Sequence, residues 1–588
     1  MSSVGNEASD RPYAPVRREW AARQAPRALP AGSGRTALPA ARNRTTPLPS
    51  PGRADRPARP GRSVFCAGGL LTVLWAAAFL PSRVPAADLP SGAGIASPRA
   101  AGETTVPHAT TQAWPVREAE RSIRQRDLKA DIFTLAADSL EGREAGTQGG
   151  WAAAAYIVKR LRQAKLAPAA EDGGFFQEFG HAYRNILAVV PGRDPRLRSE
   201  YVLVGAHYDH VGYGNERNSR GPIGYVHNGA DDNASGTAAL LEIAEALMLL
   251  PQRPRRSVLI AFWDAEEKGL LGSRFFVRSP TVPLERIRFV LNIDMVGRLR
   301  NRTVEVFGWR TGEDLRRLAS ASNRDGLTLR FPLTILPDSD HYPFFEHGIP
   351  YLLLHTGKHA EYHTPSDDAP LINLRGTETV ARMLFRIVWE VANRDRTPDF
   401  RDAASAEARA DRIRLQHPVR PQRLGISWNA DRGAAGEFVL TAVGEDSPAE
   451  RAGLQVGDRL IRFNGTVPRD SEHLIALVHT ADPEATVTIR RDGASRTLHV
   501  RLAGTPDRVG VRIAIDPADN GGVVVTDVIP GGLADRLGVQ RGDRLLLGEE
   551  DTDRPLAERA RRFLARRHAA LLLERDGRIL SLANPERP

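Results

Sequence analysis

Helical periodicity opens in LKADIFTLAADSL and continues through GWAAAAYIVKRLRQAKL, with apolar residues returning every three to four positions. Short apolar runs then alternate with helical ones: NILAVV, YVLVGA, the helix ASGTAALLEIAEALMLL, VLIAFWDA, FVLNIDMV, TVEVFG, YLLLH and the long helix TETVARMLFRIVWEVANR. Continuous rather than alternating apolar runs are what strands covered on both faces require. The pattern therefore predicts an α/β domain over residues 116–394, with a mixed, mostly parallel sheet between helices.

The pattern changes twice more downstream. Residues 395–422 are charged, Ala-rich and broken by Pro, and read as a linker. Beyond them RLGI at Arg423–Ile426 recurs as RVGV at Arg508–Val511, and SPAERAGLQVGDRLI from Ser447 recurs as GLADRLGVQRGDRLL from Gly532. Aligned without gaps, 15 of 39 positions are identical, which predicts two copies of one small β-rich domain at 423–504 and 505–588.

Upstream, residues 1–62 are rich in Arg, Pro, Ala and Gly with little apolar content, a mixture that cannot offset the entropy of ordering and predicts disorder. The uncharged run Val64–Leu80 follows Arg59 and Arg62 and precedes small residues at Ala86 and Ala87. These are the parts of an export signal, here residues 63–87; a membrane anchor is the other reading, although the run is short of the roughly 20 residues of a span. A Pro/Gly/Ala-rich linker, 88–115, leads into the α/β domain. The expected location is outside the cytoplasm, periplasmic or extracellular.

Net charge changes the picture less than it first suggests. Twelve arginines against four acids put +8 of the net +10 in the first 62 residues. The rest of the chain has no basic excess from which to build a nucleic-acid face, so that class of partner is excluded. The single cysteine, Cys66, lies inside the apolar run, so the exported part can form no disulfide and any metal site must use His and carboxylates.

The polar residues of the α/β domain fall at the ends of its predicted strands. His207 and Asp209 follow YVLVGA, Asp231 and Asp232 open the Ala-rich helix, Glu266 and Glu267 follow VLIAFWD, Asp294 ends FVLNI, and His363 comes soon after YLLLH. Ligands of open α/β sheets bind beyond the carboxyl ends of strands. Two His and several carboxylates converging there suit zinc or a similar divalent ion, and one carboxylate between two ions would make a two-metal hydrolytic centre.

In this order and spacing, HYDH, NGADDNASG, WDAEEKGLLGS, NIDMVG and YHTPSDD resemble the signatures of the two-zinc aminopeptidase family, which includes glutamate carboxypeptidases. The likeness covers about residues 125–393, and LAADSLEGREAGT and SDHYPFFEHGIPYLLLH extend it. It implies a zinc exopeptidase fold, two zinc ions and peptide substrates. Asp231 is implied as the bridging carboxylate, His207 and Asp294 as completing one metal site, and Glu267 and His363 as completing the other. Glu266 is implied as the general base, Asp209 as orienting His207, and Tyr362 as a phenol that steadies the tetrahedral intermediate. Asp232 would be turned away across a cis bond to Asp231. Asp340 and His341 are expected on the site wall, whereas His210, His227, His355 and His359 have no sequence support as ligands. Removal of amino-terminal residues is the expected reaction. A carboxypeptidase, a one-zinc glutaminyl cyclase or an inactive peptide-binding scaffold are the alternatives.

The repeats resemble PDZ domains of bacterial envelope proteases. By that likeness Leu424, Gly425 and Ile426 would receive a peptide or protein carboxyl terminus by strand addition, walled by the helix DSEHLIALVHTA. The second copy departs at GEEDTDRPLAERARRFLARRH, where a groove would be blocked or altered.

Overall fold

The structure is a computed structural model describing residues 104–105, 114–407 and 422–583, apart from short stretches between 508 and 569. The extension 1–62, the segment 63–87 with its apolar run, and most of the linker 88–115 lie outside the described residues. Among the described residues no helix is long and apolar enough to cross a membrane.

After a two-residue strand β1 (Thr104–Thr105), the α/β domain contributes β2 (Ala167–Pro168), β3 (Phe176–Phe179), β4 (Tyr183–Val190), β5 (Tyr201–His207), β6 (Ser257–Trp263), β7 (Ile287–Ile293), β8 (Thr303–Phe307), β9 (Thr328–Arg330) and β10 (Tyr351–His355). They form one sheet in the order β2-β4-β6-β5-β7-β10-β8-β9, with β3 beside β4. The central strands β6, β5, β7 and β10 are parallel, while β4 and β8 join them antiparallel.

Strand β6, SVLIAFW, shows why such runs carry no polar alternation. Val258, Ile260 and Phe262 point into the core shared with helices Gln148–Gln163, Gly236–Leu249 and Leu374–Asn393. Leu259, Ala261 and Trp263 point into the core of the opposite face, where Trp263 packs on Phe276 and Phe344. Successive side chains thus enter different cores, and both must be apolar.

The segment expected as a linker is partly built into this domain. Phe400 and Ala404 join the second core, and Glu407 pairs with Arg310 at 2.6 Å and Arg401 at 2.9 Å. Residues 395–407 are therefore an extension of the α/β domain.

The first repeat forms a five-stranded antiparallel sheet of β11 (Ile426–Trp428), β12 (Phe438–Val443), β13 (Arg459–Phe463), β14 (Glu484–Arg491) and β15 (Ala494–Arg501). The second forms β16 (Val511–Ile515), β17 (Gly522–Val528), β18 (Arg544–Leu546), β19 (Ala570–Arg575) and β20 (Arg578–Ala583), extended by β1 beside β20. The duplication extends to individual hydrogen bonds. Arg491 grips Asp458 at 2.6 and 2.7 Å and the Gly453 carbonyl at 2.7 Å; Arg575 grips Asp543 at 2.7 and 2.8 Å and the Gly538 carbonyl at 2.6 Å.

Candidate metal centre

Four parallel strands deliver the site. His207 is the last residue of β5, Glu266 and Glu267 follow β6, Asp294 follows β7, and His363 lies in the loop after β10. The loop entering helix Gly236–Leu249 adds Asp232. One Asp232 oxygen lies 3.3 Å from His207 Nε2 and the other 3.0 Å from His363 Nε2. Asp294 lies 3.5 Å from His207 Nε2, and Glu267 lies 3.2 Å from His363 Nε2. Two ligand clusters result, His207 with Glu266 and Asp294, and His363 with Glu267 and His210, and Asp232 stands between them.

This geometry reverses the expected roles of the aspartate pair. Asp231 accepts hydrogen bonds from the Gly297 amide at 2.6 Å and the Ser235 hydroxyl at 3.1 Å, and its other oxygen lies 3.2 Å from His359. It ties the loop to the segment after β7 and does not face the cluster; Asp232 does. The cis bond likewise joins Asp232 to Asn233, not Asp231 to Asp232. Both Asp amides donate to Asp367 Oδ2, at 3.0 and 3.1 Å. The buried Arg143 guanidinium donates to the carbonyls of Tyr208, Leu135, Asn228 and Gly229, clamping the loop from below.

Asp209 also differs from expectation. Its carboxylate stands 3.7 Å from His207 Nδ1, too far for a hydrogen bond; it accepts the amides of Glu266 and Glu267 at 3.0 and 3.4 Å, so it orients the Glu pair. The Asp209 carbonyl lies 3.3 Å from His207 Nδ1. Tyr362 stacks on His363 with centroids 4.0 Å apart. His341 lines the cavity beside the cluster, and the buried Asp340 accepts from Ser273.

Sequence reasoning passed over His210, Arg143, His359 and Asp367. His210 is buried, 2.9 Å from Glu267, and its spacing from His207 in HYDH was the available signal. Arg143 sits in the quoted LEGRE run, and Asp367 in YHTPSDD, but nothing in either run says what they grip.

The donor set fits divalent cations. Among the described residues, Asp232, Glu267 and Asp294 pair with His207, His210 and His363 rather than with a Lys or Arg. His363 Nε2 lies within 3.2 Å of two carboxylates yet makes a directed hydrogen bond to neither, and Asp294 Oδ1 is likewise without one. Such atoms point at a shared third position rather than at each other. Left to itself the cluster recruits protons. Although burial opposes it, the Asp232 and Glu267 carboxylates push the His363 imidazole up to about 10. Burial among like charges drives the Glu266 carboxyl well above the usual carboxylate range.

A cavity of about 640 Å³ opens from the cluster and is walled by Met295, Phe307, Arg330, Leu336, Tyr351 and His355. In the first repeat, Leu424, Gly425 and Ile426 line a separate groove of about 130 Å³ with Leu474, Val478 and His479. Gly425 takes a φ of +84°, and a Cβ there would meet Ser447 at 2.3 Å.

The sequence model of Peptidase family M28 matches residues 185–388, which contain every member of the cluster. Those residues form a family M28 peptidase domain. A PDZ domain model matches residues 439–491, within the first repeat. The chain is 25% identical over 386 residues to leupeptin-inactivating enzyme 1 of Streptomyces exfoliatus, an alignment covering 65% of this chain and 79% of that one. It is 28% identical over 217 residues to leucine aminopeptidase 1 of Trichophyton rubrum, covering 35% of this chain and 53% of that one; it thus spans about half the length of this relative. Among solved structures the chain is similar to the Legionella pneumophila LapA aminopeptidase with a TM-score of 0.41 and 20% identity, covering 50% of this chain and 78% of that one.

Proposed function

We propose that this chain is an exported metal-dependent exopeptidase that removes residues from the free amino end of peptides. The observation carrying this reading is the convergence of His207, Asp232, Glu266, Glu267, Asp294 and His363 at the carboxyl ends of parallel strands, within the M28 domain. His207 with Asp294, and Glu267 with His363, would hold two zinc ions, with Asp232 shared between them. Bound there, the ions supply Lewis-acid polarisation of a carbonyl and make water acidic enough to attack near neutral pH.

The chain's own residues do the rest. Glu266 takes the proton of the attacking water and returns it to the leaving amine. Asp209 fixes Glu266 and Glu267 through their amides. The Tyr362 phenol, facing the cavity, would donate to the tetrahedral oxygen. Carboxylates lining the cavity suit a substrate ammonium group, and the named relatives include a leucine aminopeptidase. Arg300, Arg330 and Lys358 also line the cavity, a specific reason to keep carboxyl-end cleavage as the second reading. In the first repeat, the groove beside β11 is proposed to take peptide or protein carboxyl termini.

The test is metal content together with hydrolysis of aminoacyl p-nitroanilides and of amino-blocked peptides. About two metals per chain with chelator-sensitive cleavage of free-amine substrates alone is expected; cleavage of blocked peptides alone would move the reading to a carboxypeptidase. The apolar run Val64–Leu80 supports export, either as a cleaved signal or as an anchor. A mature protein beginning near Asp88 in the culture medium or periplasm is expected, and an intact amino terminus in the cytosol would refute it.

A further inference from the structure

The second PDZ-like repeat is locked onto the M28 domain behind one wall of the substrate cavity. That wall is formed by Thr303, Glu305 and Phe307 of β8, Arg330 of β9, and Thr334 and Leu336 just beyond. Strand β9 is the edge of the main sheet, and the tight turn between β19 and β20 covers it. The Leu329 amide donates to the Asp576 carbonyl at 2.8 Å, Arg578 donates to Thr328 Oγ1 at 2.8 Å, and Asn323 donates to the Gly577 carbonyl at 2.8 Å. Gly577 has φ +76°, and a Cβ there would stand 2.2 Å from Leu329.

A largely buried ionic seam continues from this turn. Arg316 pairs with Glu574 at 2.9 Å, Arg317 with Asp519 at 3.1 Å and Arg310 with Asp516 at 2.8 Å, while Arg544 of the repeat itself pairs with Asp516 at 2.8 Å. The guanidinium groups of Arg310, Arg316 and Arg544 gather on the Trp309 ring at 4.8 to 5.5 Å. Trp309 follows β8 and donates its indole N–H to the Pro332 carbonyl at 2.8 Å, and Arg316 stacks on Phe331 at 4.0 Å. The residues that the repeat grips are thus neighbours in sequence of those that line the cavity. Charges buried this way hold one arrangement, because pulling the surfaces apart leaves each uncompensated until water reaches it.

We infer that the second PDZ-like repeat is a positioning element of the peptidase: its β19–β20 turn and acidic seam hold β8, β9 and residues 331–336 in place, and so set the shape of the substrate cavity. Only the kinetic part of this inference rests on the proposed exopeptidase activity.

The experiment uses full-length Gly577→Val, which drives a side chain into Leu329, and the milder Arg578→Ala, which removes the bond to Thr328. Two readouts are followed, hydrogen exchange and steady-state kinetics. Exchange of amides in 303–307 and 328–330 is expected to quicken at least tenfold in Gly577→Val and less in Arg578→Ala, with residues 201–207 and the first repeat unchanged. KM is expected to rise about tenfold with kcat within twofold and metal content unaltered, because the metal cluster lies on other strands. Faster exchange at 574–578 with 303–307, 328–330 and KM all unchanged would overturn the inference, showing the repeat merely attached. If the wild type hydrolyses no free-amine substrate, the proposed function fails while the exchange comparison still decides the positioning role.

Discussion

At the residue scale, the aspartate pair separates two tasks that adjacent identical side chains hide in a sequence. The motif shows that the loop needs two carboxylates, but a one-residue shift in the turn exchanges which faces the cluster, and no periodicity reports that shift. The resemblance implied Asp231 as the bridge; Asp231 hydrogen-bonds Gly297 and Ser235, while Asp232 is the one that approaches both His207 and His363. The prediction is correspondingly sharp. Asp232→Asn should lose bound metal and at least about 10³-fold in turnover, since it removes a charge shared by both positions. Asp231→Asn should keep its metal but lose about 1–3 kcal/mol of stability through the buried Gly297 amide and His359. Metal analysis and urea unfolding distinguish them; metal loss in Asp231→Asn with retention in Asp232→Asn would restore the original assignment. Glu266→Gln should retain two metals while kcat falls about 10²–10⁴-fold, the range for a removed general base.

At the scale of elements, strands were legible because burial on two faces forces continuous apolar runs, and helices because their apolar stripes repeat every three to four residues. What escaped is carried by polar side chains inside those elements. Helix Gly236–Leu249, read as Ala-rich and apolar, buries Glu242 against Arg160, which it shares with the buried Asp131 and the more exposed Glu245. The Arg124 amide is the other donor facing Glu242, at 3.4 Å. Burial, with Asp131 and Glu245 adding, pushes the Glu242 carboxyl from 4.5 up to about 8. The folded protein therefore binds the proton more tightly than the unfolded chain, and stability contributed by neutral Glu242 is present below pH 4.5 and lost as pH rises through about 8. That loss is capped at about 5 kcal/mol. Glu242→Gln should match wild type at pH 4.5 and unfold at a higher temperature at pH 9. Equal midpoints at both pH values would show that Arg160 already neutralises the site.

At the scale of the whole molecule, the two repeats differ in what they touch. The second is stapled to the M28 domain through Asp516, Asp519 and Glu574.

 Pair by pair, Asp519 stands opposite Ala434, and Glu574 stands opposite Arg490 when Arg575 is set on Arg491; only Asp516 keeps an acid, Asp431. The first copy instead keeps an open groove between β11 and helix Ser471–Thr480, lined by Leu424, Ile426, Leu474 and Val478. An apolar groove beside an edge strand suits a peptide that adds to the sheet and inserts an apolar terminal side chain. Gly425 is where this can be broken without touching the M28 domain, because its φ of +84° and the 2.3 Å approach to Ser447 admit no larger residue. Gly425→Val should abolish binding of peptides with a free apolar carboxyl terminus, followed by calorimetry, and slow hydrolysis of long polypeptides that carry such a terminus. Turnover of aminoacyl p-nitroanilides, too short to reach a second domain, should stay within about twofold, since shared uniform binding changes KM for the tethered substrate alone. Peptide binding that survives Gly425→Val would place the receptor elsewhere. Equal losses on long and short substrates would instead mean that the first repeat, like the second, acts by holding the peptidase in shape.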